Sequence, residues 1–339
     1  MSAAPFPSLT SESGSGTRPR LLITRKLPAE VEARAARSYD AAFNTSDTVL
    51  AADEILARAE GKDALLVTVA DRVDAALIAR LPDTVRIIAS FSVGYDHIDL
   101  SAAAARGLAV SNTPDVLTAA TADIALLLIL GAARGAAPGM AAIREATWKS
   151  WAPTGMLGMD LAGKRLGILG MGRIGQAVAA RARAFGMAIH YHNRHRLGAA
   201  AEQGATFHPT ADGLFAASDI LSIHCASTPE TRKLVNRRTI GLMPQGAIVV
   251  NTARGDIVDD DALIAALASG HLRAIGLDVF NNEPKIDPRY RTLGSAFLLP
   301  HLGSATIETR NAMGFRALDN LDDYFAGRSP RDLVTPARG

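Results

Sequence analysis

The sequence predicts two α/β domains, each built on a doubly wound parallel sheet, with the second inserted into the first. Three observations lead there. Short, continuously apolar runs alternate with longer Ala- and Leu-rich stretches of helical period from Arg20 almost to the end. Those runs lack the in-out alternation of a half-exposed strand, so both faces should be covered, as in a parallel sheet. There are ten of them in 339 residues, too many for one comfortable open sheet and about right for two domains of ~150 residues.

In order, the expected strands are Leu21–Ile23, Leu65–Val69, Arg86–Ala89 and Leu108–Val110, then Leu166–Leu169, Ile189–Tyr191, Ile220–Ile223, Ile248–Val250, Ile275–Leu277 and Phe297–Leu299. The division falls near the apolar stretch from Val116 to about Arg134, followed by a loose Gly135–Pro153 segment and a new sheet from Lys164. Asp123 sits within that stretch, and a charge at mid-span costs several kcal/mol in lipid, so a buried helix is expected, not a membrane span. Asp259, Asp260 and Asp261 open a helix over Ala262–Ser269, with acid at the positive end of its dipole and Gly270 as the stop. A last helix over about Ser304–Phe325 should pack back on the first domain. The domains are thus expected at 19–116 with 305–339, and at 117–304. Residues 1–18, rich in Ser, Gly and Pro, read as a flexible lead-in without the charged start and apolar block of a secretory signal.

Composition excludes several classes. Apolar residues are 48% and charged residues 21%, which is globular and not disordered or fibrous. Net charge is +2, with no Lys/Arg run of five, so neither nucleic acid nor a membrane surface is expected as a partner. A single cysteine, Cys225, cannot close an internal disulfide, and a reducing, cytoplasmic setting is expected.

The strand ending at Leu169 runs into Gly170-Met171-Gly172-Arg173-Ile174-Gly175 and then into a helix over Gln176–Phe185. A G-x-G-x-x-G between strand and helix is a dinucleotide cradle of the Rossmann kind. The first glycine makes the turn, the second admits the pyrophosphate, and the third lets the helix pack on the strand. Gly158 with Gly163-Lys164 copies a triphosphate loop, but Arg165 follows where Ser or Thr is needed, and the stretch precedes a strand where it should follow one. ATP binding is rejected.

The next strand ends in Asn193-Arg194-His195-Arg196, about 18 residues past Gly175, where an acid would accept the ribose 2′-hydroxyl of NAD. Asn193 removes the carboxylate that would repel a 2′-phosphate, and Arg194 and Arg196 supply guanidiniums. NADPH is therefore expected in preference to NADH. His190, His192 and His195 suggest a metal, but flanking arginines would repel a cation and no acid or thiol completes a set; no metal is expected.

Three strand ends then carry unusual polar residues: Asn251-Thr252-Ala253-Arg254-Gly255, Gly276-Leu277-Asp278 through Asn282-Glu283-Pro284, and Pro300-His301-Leu302-Gly303-Ser304. Ligands in doubly wound folds bind off the carboxyl ends of strands, so these segments should converge on the nicotinamide. A guanidinium fork suits the carboxylate of a keto acid, an imidazole supplies the proton for its carbonyl, and a glutamate orients the imidazole. Taken singly, Arg254, Glu283 and His301 have ordinary structural uses. Together, after a dinucleotide turn, they point to catalysis.

At these residues the sequence resembles the D-isomer-specific 2-hydroxyacid dehydrogenase family, over roughly Arg20 to Pro330. The resemblance implies a Rossmann cofactor domain inserted into a flavodoxin-like substrate domain. It makes Arg254 the carboxylate arginine, His301 the acid/base and Glu283 its partner. It implies that Val93 and Gly94, in Ser92–Asp99, help hold the carboxylate through backbone N–H groups. Pocket shape is expected to depend on loops around Val69, Trp151 and Arg310. Cys225, Ala226 and Ser227 would line the adenosine and ribose. Thr252, Ala253 and Gly303 belong to matching segments, and Asp278 and Thr121 would lie on the nicotinamide side. Within the family the chain looks most like glyoxylate/hydroxypyruvate reductases, through Asn193-Arg194, the Trp148–Trp151 segment and Arg310. By that likeness the protein is a homodimer, with Trp151 reaching the partner's site. Other enzymes of the family, such as phosphoglycerate dehydrogenases, are alternatives, as is a cofactor-sensing corepressor of the same fold.

Overall fold

The computed structural model describes residues 18–336. The lead-in expected over 1–18 thus lies, apart from Arg18, outside the described residues. In chain order the elements are β1 (Arg20–Ile23), α1 (Ala29–Ser38), β2 (Asp40–Phe43), α2 (Ala52–Ala59), β3 (Ala64–Val67), α3 (Ala75–Arg80), β4 (Ile87–Ser90), α4 (Leu100–Ala105) and β5 (Ala109–Ser111). Then come α5 (Thr118–Arg134), α6 (Ala136–Arg144), β6 (Arg165–Leu169), α7 (Arg173–Ala184), β7 (Ala188–His192), α8 (Ala199–Glu202), β8 (Thr206–Phe207) and α9 (Ala211–Ala217). The chain finishes with β9 (Ile220–Ile223), α10 (Arg237–Ile240), β10 (Ala247–Asn251), α11 (Asp260–Ala268), β11 (Leu272–Leu277), β12 (Ala296–Leu298) and α12 (Ile307–Phe325). Two compact units result. One holds the described residues up to Leu117 and from Thr306 onward; the other is Thr118–Ala305.

The first unit is a five-stranded parallel sheet in the order β2-β1-β3-β4-β5, the flavodoxin-like order. Every residue of β3 and β4 is buried, which accounts for their unbroken apolar runs. On one face, Met313, Ala317, Leu318 and Leu321 of α12 join the core with Ile87 and Ala89, so the last helix completes this unit. Thr306 starts it by accepting the Thr309 N–H at 3.1 Å.

The second unit is a seven-stranded parallel sheet, β12-β11-β10-β9-β6-β7-β8. Numbered within the unit this is the Rossmann order with one further strand, and its switch point lies between β6 and β9. The apolar stretch from Val116 is α5, and its Ala122, Ala125, Leu128 and Ile129 are buried in the core with Ile168, Ile248 and Val250. Among the described residues no single helix is long and apolar enough to cross a membrane.

Three features differ from expectation. Strands β2 and β8 edge their sheets and carry no continuous apolar run: Asp-Ala-Ala-Phe is exposed or half-buried, and β8 is only Thr-Phe. The segment after Arg134 is not loose throughout. Gly135 turns the chain at φ 63°, and α6 follows with Pro138 in its first turn, where a missing N–H costs nothing.

Candidate active site

Gly170 sits at the end of β6 with φ 94°. A Cβ there would lie 2.5 Å from the backbone N of Cys225, at the end of β9, so the two strand ends at the switch point can close up only on glycine. A Cβ on Gly175 would lie 2.6 Å from Gly170 O, whereas one on Gly172 would meet nothing within 4 Å. Two glycines are thus used for packing and the third leaves space in front of the α7 N-terminus, whose open N–H groups suit an anion. This cradle fits a dinucleotide pyrophosphate.

The loop after β7 is tied to the cradle. Asn193 Oδ1 accepts the Met171 N–H at 2.6 Å, and His192 O accepts the Gly170 N–H at 3.0 Å. Asn193 therefore acts as a strut where an acid was looked for. Arg194 and His195 are exposed, and the Arg194 charge contributes to holding the Glu230 carboxyl below its usual range, after the hydrogen bond from Thr228 Oγ1 and a backbone N–H. Arg196, expected with Arg194 to meet a 2′-phosphate, has its guanidinium forked onto Glu202, at 2.8 and 3.0 Å. The histidines pair among themselves, His190 Nδ1 lying 2.9 Å from His208 Nε2 and His192 Nδ1–H donating to His208 O at 2.8 Å. Among the described residues no group of three or more His, Cys, Asp or Glu is arranged to hold a metal ion.

At the end of β9, His224 stands between Ser222 Oγ (2.8 Å) and Thr252 Oγ1 (3.3 Å), and burial pushes it down to about 4. Burial likewise pushes the neighbouring Cys225 thiol up to about 11, which keeps it protonated at neutral pH. Ser227 donates to Asp256 Oδ2 at 2.7 Å; the small Ala226 beside it is exposed.

Arg254 follows β10 in a turn fixed by buried Asn251, whose Oδ1 accepts the Ala253 N–H (2.9 Å) and whose Nδ2 donates to Arg254 O (2.7 Å). The next residue, Gly255, packs so closely on the chain beyond β11 that a Cβ would lie 2.0 Å from the carbonyl carbon of Phe280. That approach brings the Arg254 turn beside the segment leading to Glu283. Glu283 Oε1 accepts the Phe280 N–H at 2.7 Å, and its Oε2 accepts His301 Nδ1–H at 2.7 Å. Burial alone would raise the Glu283 carboxyl. The His301 hydrogen bond and charge, the Phe280 N–H and the Arg254 charge outweigh it and hold the group below its usual range. With Nδ1 committed to Glu283, His301 has Nε2 to offer a substrate.

His301 itself has φ 56°, a strained backbone for a side chain of its size. The turn is held from below by Asp278, 1% exposed. Its main-chain O accepts the His301 N–H (2.8 Å), and its carboxylate oxygens accept the N–H groups of Leu302 (2.6 Å) and Gly303 (2.7 Å). Thr121 of α5 donates to Gly303 O at 3.0 Å. Arg254, Glu283 and His301 thus gather at the carboxyl ends of β10, β11 and β12, with Asp278, Gly303 and Thr121 behind them.

The remaining substrate residues lie apart in the chain. Trp151 is 78% exposed in the segment after α6. In the first unit, Val69 is 44% exposed after β3, and Val93 and Gly94 form a bend whose carbonyls accept from Asn112 Nδ2 (2.8 Å) and Ser92 Oγ (2.5 Å). Arg310 lies in the first turns of α12. Sequence reasoning passed over Glu202 and His224, and took Asn251 and Gly255 only as parts of the Arg254 segment, without a role of their own. Of the two that were passed over, His224 left a signal, as a polar residue directly after an apolar strand.

A family model for the NAD-binding domain of D-isomer-specific 2-hydroxyacid dehydrogenases matches residues 126–303, just over half of the chain. The glycerate dehydrogenase of Hyphomicrobium methylovorum is 44% identical over 92% of this chain and 97% of that protein. The glyoxylate reductase of Thermococcus litoralis is 39% identical over 94% and 97%. Among solved structures, an NADPH-dependent glyoxylate/hydroxypyruvate reductase from Sinorhizobium meliloti, in complex with NADP and malonate, superposes with a TM-score of 0.84 at 33% identity, covering 95% of this chain and all of the other. The chain therefore belongs to the D-isomer-specific 2-hydroxyacid dehydrogenases, oxidoreductases that act on a CH–OH group with a nicotinamide cofactor.

Proposed function

We propose that the protein reduces small 2-keto acids, glyoxylate or hydroxypyruvate, to D-2-hydroxy acids, with NADPH preferred and NADH possible. The observation that carries this is the His301–Glu283 pair beside the Arg254 turn, at the strand ends of a dinucleotide-binding sheet. Arg254 forks onto the substrate carboxylate and polarises the keto oxygen. His301 Nε2 gives that oxygen a proton, and Glu283 fixes the ring through Nδ1 and stabilises the charge the ring carries before transfer. The reduced nicotinamide, when bound, supplies the hydride to the carbonyl carbon. In the reverse direction His301 takes the hydroxyl proton.

The exposed Arg194 supports the NADPH preference, since the loop carries no acid at position 193 and its other guanidinium is occupied. The relatives named glyoxylate reductase support the substrate class. Exposed Ile143, Trp148, Trp151, Met156 and Leu157 lie within one short stretch after α5 and support a homodimer formed through the inserted unit; light scattering on the purified protein tests it, a monomer mass counting against it.

The test of function is kcat/KM across a panel of 2-keto acids with each cofactor. Glyoxylate and hydroxypyruvate should lead the panel, with NADPH above NADH. A preference for NADH, or for a bulky or phosphorylated keto acid, would refute the reading.

A further inference from the structure

We infer that Glu202 is a positioning residue for cofactor selection: by holding Arg196 and Tyr191 it fixes the 193–197 loop so that Arg194 and His195 face the cofactor's ribose. The inference rests on the NADPH reading above and adds to it the device that makes the loop selective.

Glu202 ends α8 and is only 7% exposed. A carboxylate so placed must be paired, and it is paired from two sides. Arg196 grips both its oxygens, through Nε at 2.8 Å and Nη2 at 3.0 Å, and the hydroxyl of Tyr191 donates to Oε1. Tyr191 is wholly buried in β7, so its hydroxyl is a fixed point. That hydroxyl also accepts the Leu197 N–H at 3.0 Å. The Arg196 guanidinium is further seated over the Phe207 ring of β8, 5.8 Å from its centroid.

The loop is thus pinned at both ends. At its start Asn193 and His192 bind the glycine turn; at its end Arg196 and Leu197 bind the Glu202–Tyr191 pair. Between the pins stand Arg194 and His195, both exposed. Arg196 cannot leave to meet a phosphate without giving up both its hydrogen bonds to a largely buried carboxylate, which would be left to the Tyr191 hydroxyl. Of the two arginines the sequence offers, one is thereby spent on shaping the loop, and the other is presented to the ligand.

The experiment measures KM and kcat for NADPH and NADH, with Tm as the folding control, in wild type, Glu202→Gln, Tyr191→Phe and Arg194→Gln. The Tyr191 variant keeps the buried volume and loses only the hydroxyl, so it serves if the Glu202 variant folds poorly. KM for NADPH should rise about tenfold in Glu202→Gln and in Tyr191→Phe, the equivalent of one charge-assisted contact. KM for NADH should move less than about twofold, and kcat should hold. Parallel changes for both cofactors, or none, would overturn the role of Glu202. If Arg194→Gln raises KM for NADPH alone while the Glu202 and Tyr191 variants do not, only the positioning inference fails. If Arg194→Gln affects neither cofactor selectively, the role of Arg194 fails with it, and if wild type itself prefers NADH, the NADPH reading fails as a whole.

Discussion

Replacing Asp278 tests how the strained histidine is held. Its two carboxylate oxygens accept the N–H groups of Leu302 and Gly303 at 2.6 and 2.7 Å. Charge-assisted bonds of this kind contribute ~1.5–3 kcal/mol each, or ~3–6 kcal/mol together. Against them stands the left-handed backbone of His301, which costs a non-glycine residue ~1–2 kcal/mol. The wild-type turn is therefore held with a margin of a few kcal/mol. In Asp278→Asn one bond survives, weakened by loss of charge, and the amide NH2 faces the other N–H. The margin falls to about zero, and His301 sits in its working position for only a fraction of the time. In Asp278→Ala both bonds vanish. At 1.36 kcal/mol per tenfold, a margin near zero should lower kcat ~2-fold in the Asn variant, and the unopposed strain of ~1–2 kcal/mol should lower it ~5–30-fold in the Ala variant. Burial raises the Asp278 carboxyl against those N–H bonds, so desolvation offsets part of their gain, and Tm read beside kcat separates a loosened turn from a loosened fold. The assay is steady-state reduction with saturating cofactor, with Tm alongside. A kcat within threefold of wild type in Asp278→Ala would show that the turn holds itself, and the reasoning would fall.

Other expectations follow from the same geometry. Arg254→Gln should raise KM for the keto acid and lower kcat together, because the fork both binds and polarises; a change in KM alone would restrict Arg254 to binding. Gly255→Ala would place a methyl 2.0 Å from a backbone carbon, which the chain cannot absorb without moving the Phe280–Glu283 segment. Tm should fall by several degrees, at ~2–4 °C per kcal/mol for a unit of this size, and an unchanged Tm would contradict the close approach. His224, held down to about 4 by burial, binds fewer protons folded than unfolded between pH 6.5 and 4, so its contribution to stability is lost as pH falls through that window. At pH 5 the loss is about 2 kcal/mol. His224→Gln should flatten the fall in unfolding free energy from pH 6.5 to 5, and equal slopes would refute it.

The architecture was legible because burial on both faces writes itself into composition. All ten continuous apolar runs are strands, and Val116–Arg134 is the core helix α5. What stayed hidden is equally physical. An edge strand such as β2 needs no apolar run, since only one side of it pairs. A helix containing Pro138 and Gly139 reads as a loop until Pro138 is seen to fall in the first turn. At the site, chemistry-bearing residues announced themselves by type and by place at strand ends. Their supports did not. Nothing in the sequence says that His301 takes a left-handed backbone, that Asp278 spends its charge on the following N–H groups, or that Arg196 answers a buried glutamate six residues on. Such roles depend on tertiary partners, and an arginine committed to a carboxylate looks in sequence like one that is free.

The most direct test compares single-turnover glyoxylate reduction in wild type and His301→Gln, with NADPH binding followed separately by fluorescence. The account requires the variant to bind NADPH as before and to transfer hydride ~10²–10⁴-fold more slowly, the usual loss on removing a general acid. Turnover within a few-fold of wild type, with cofactor bound normally, would mean that the proton comes from elsewhere.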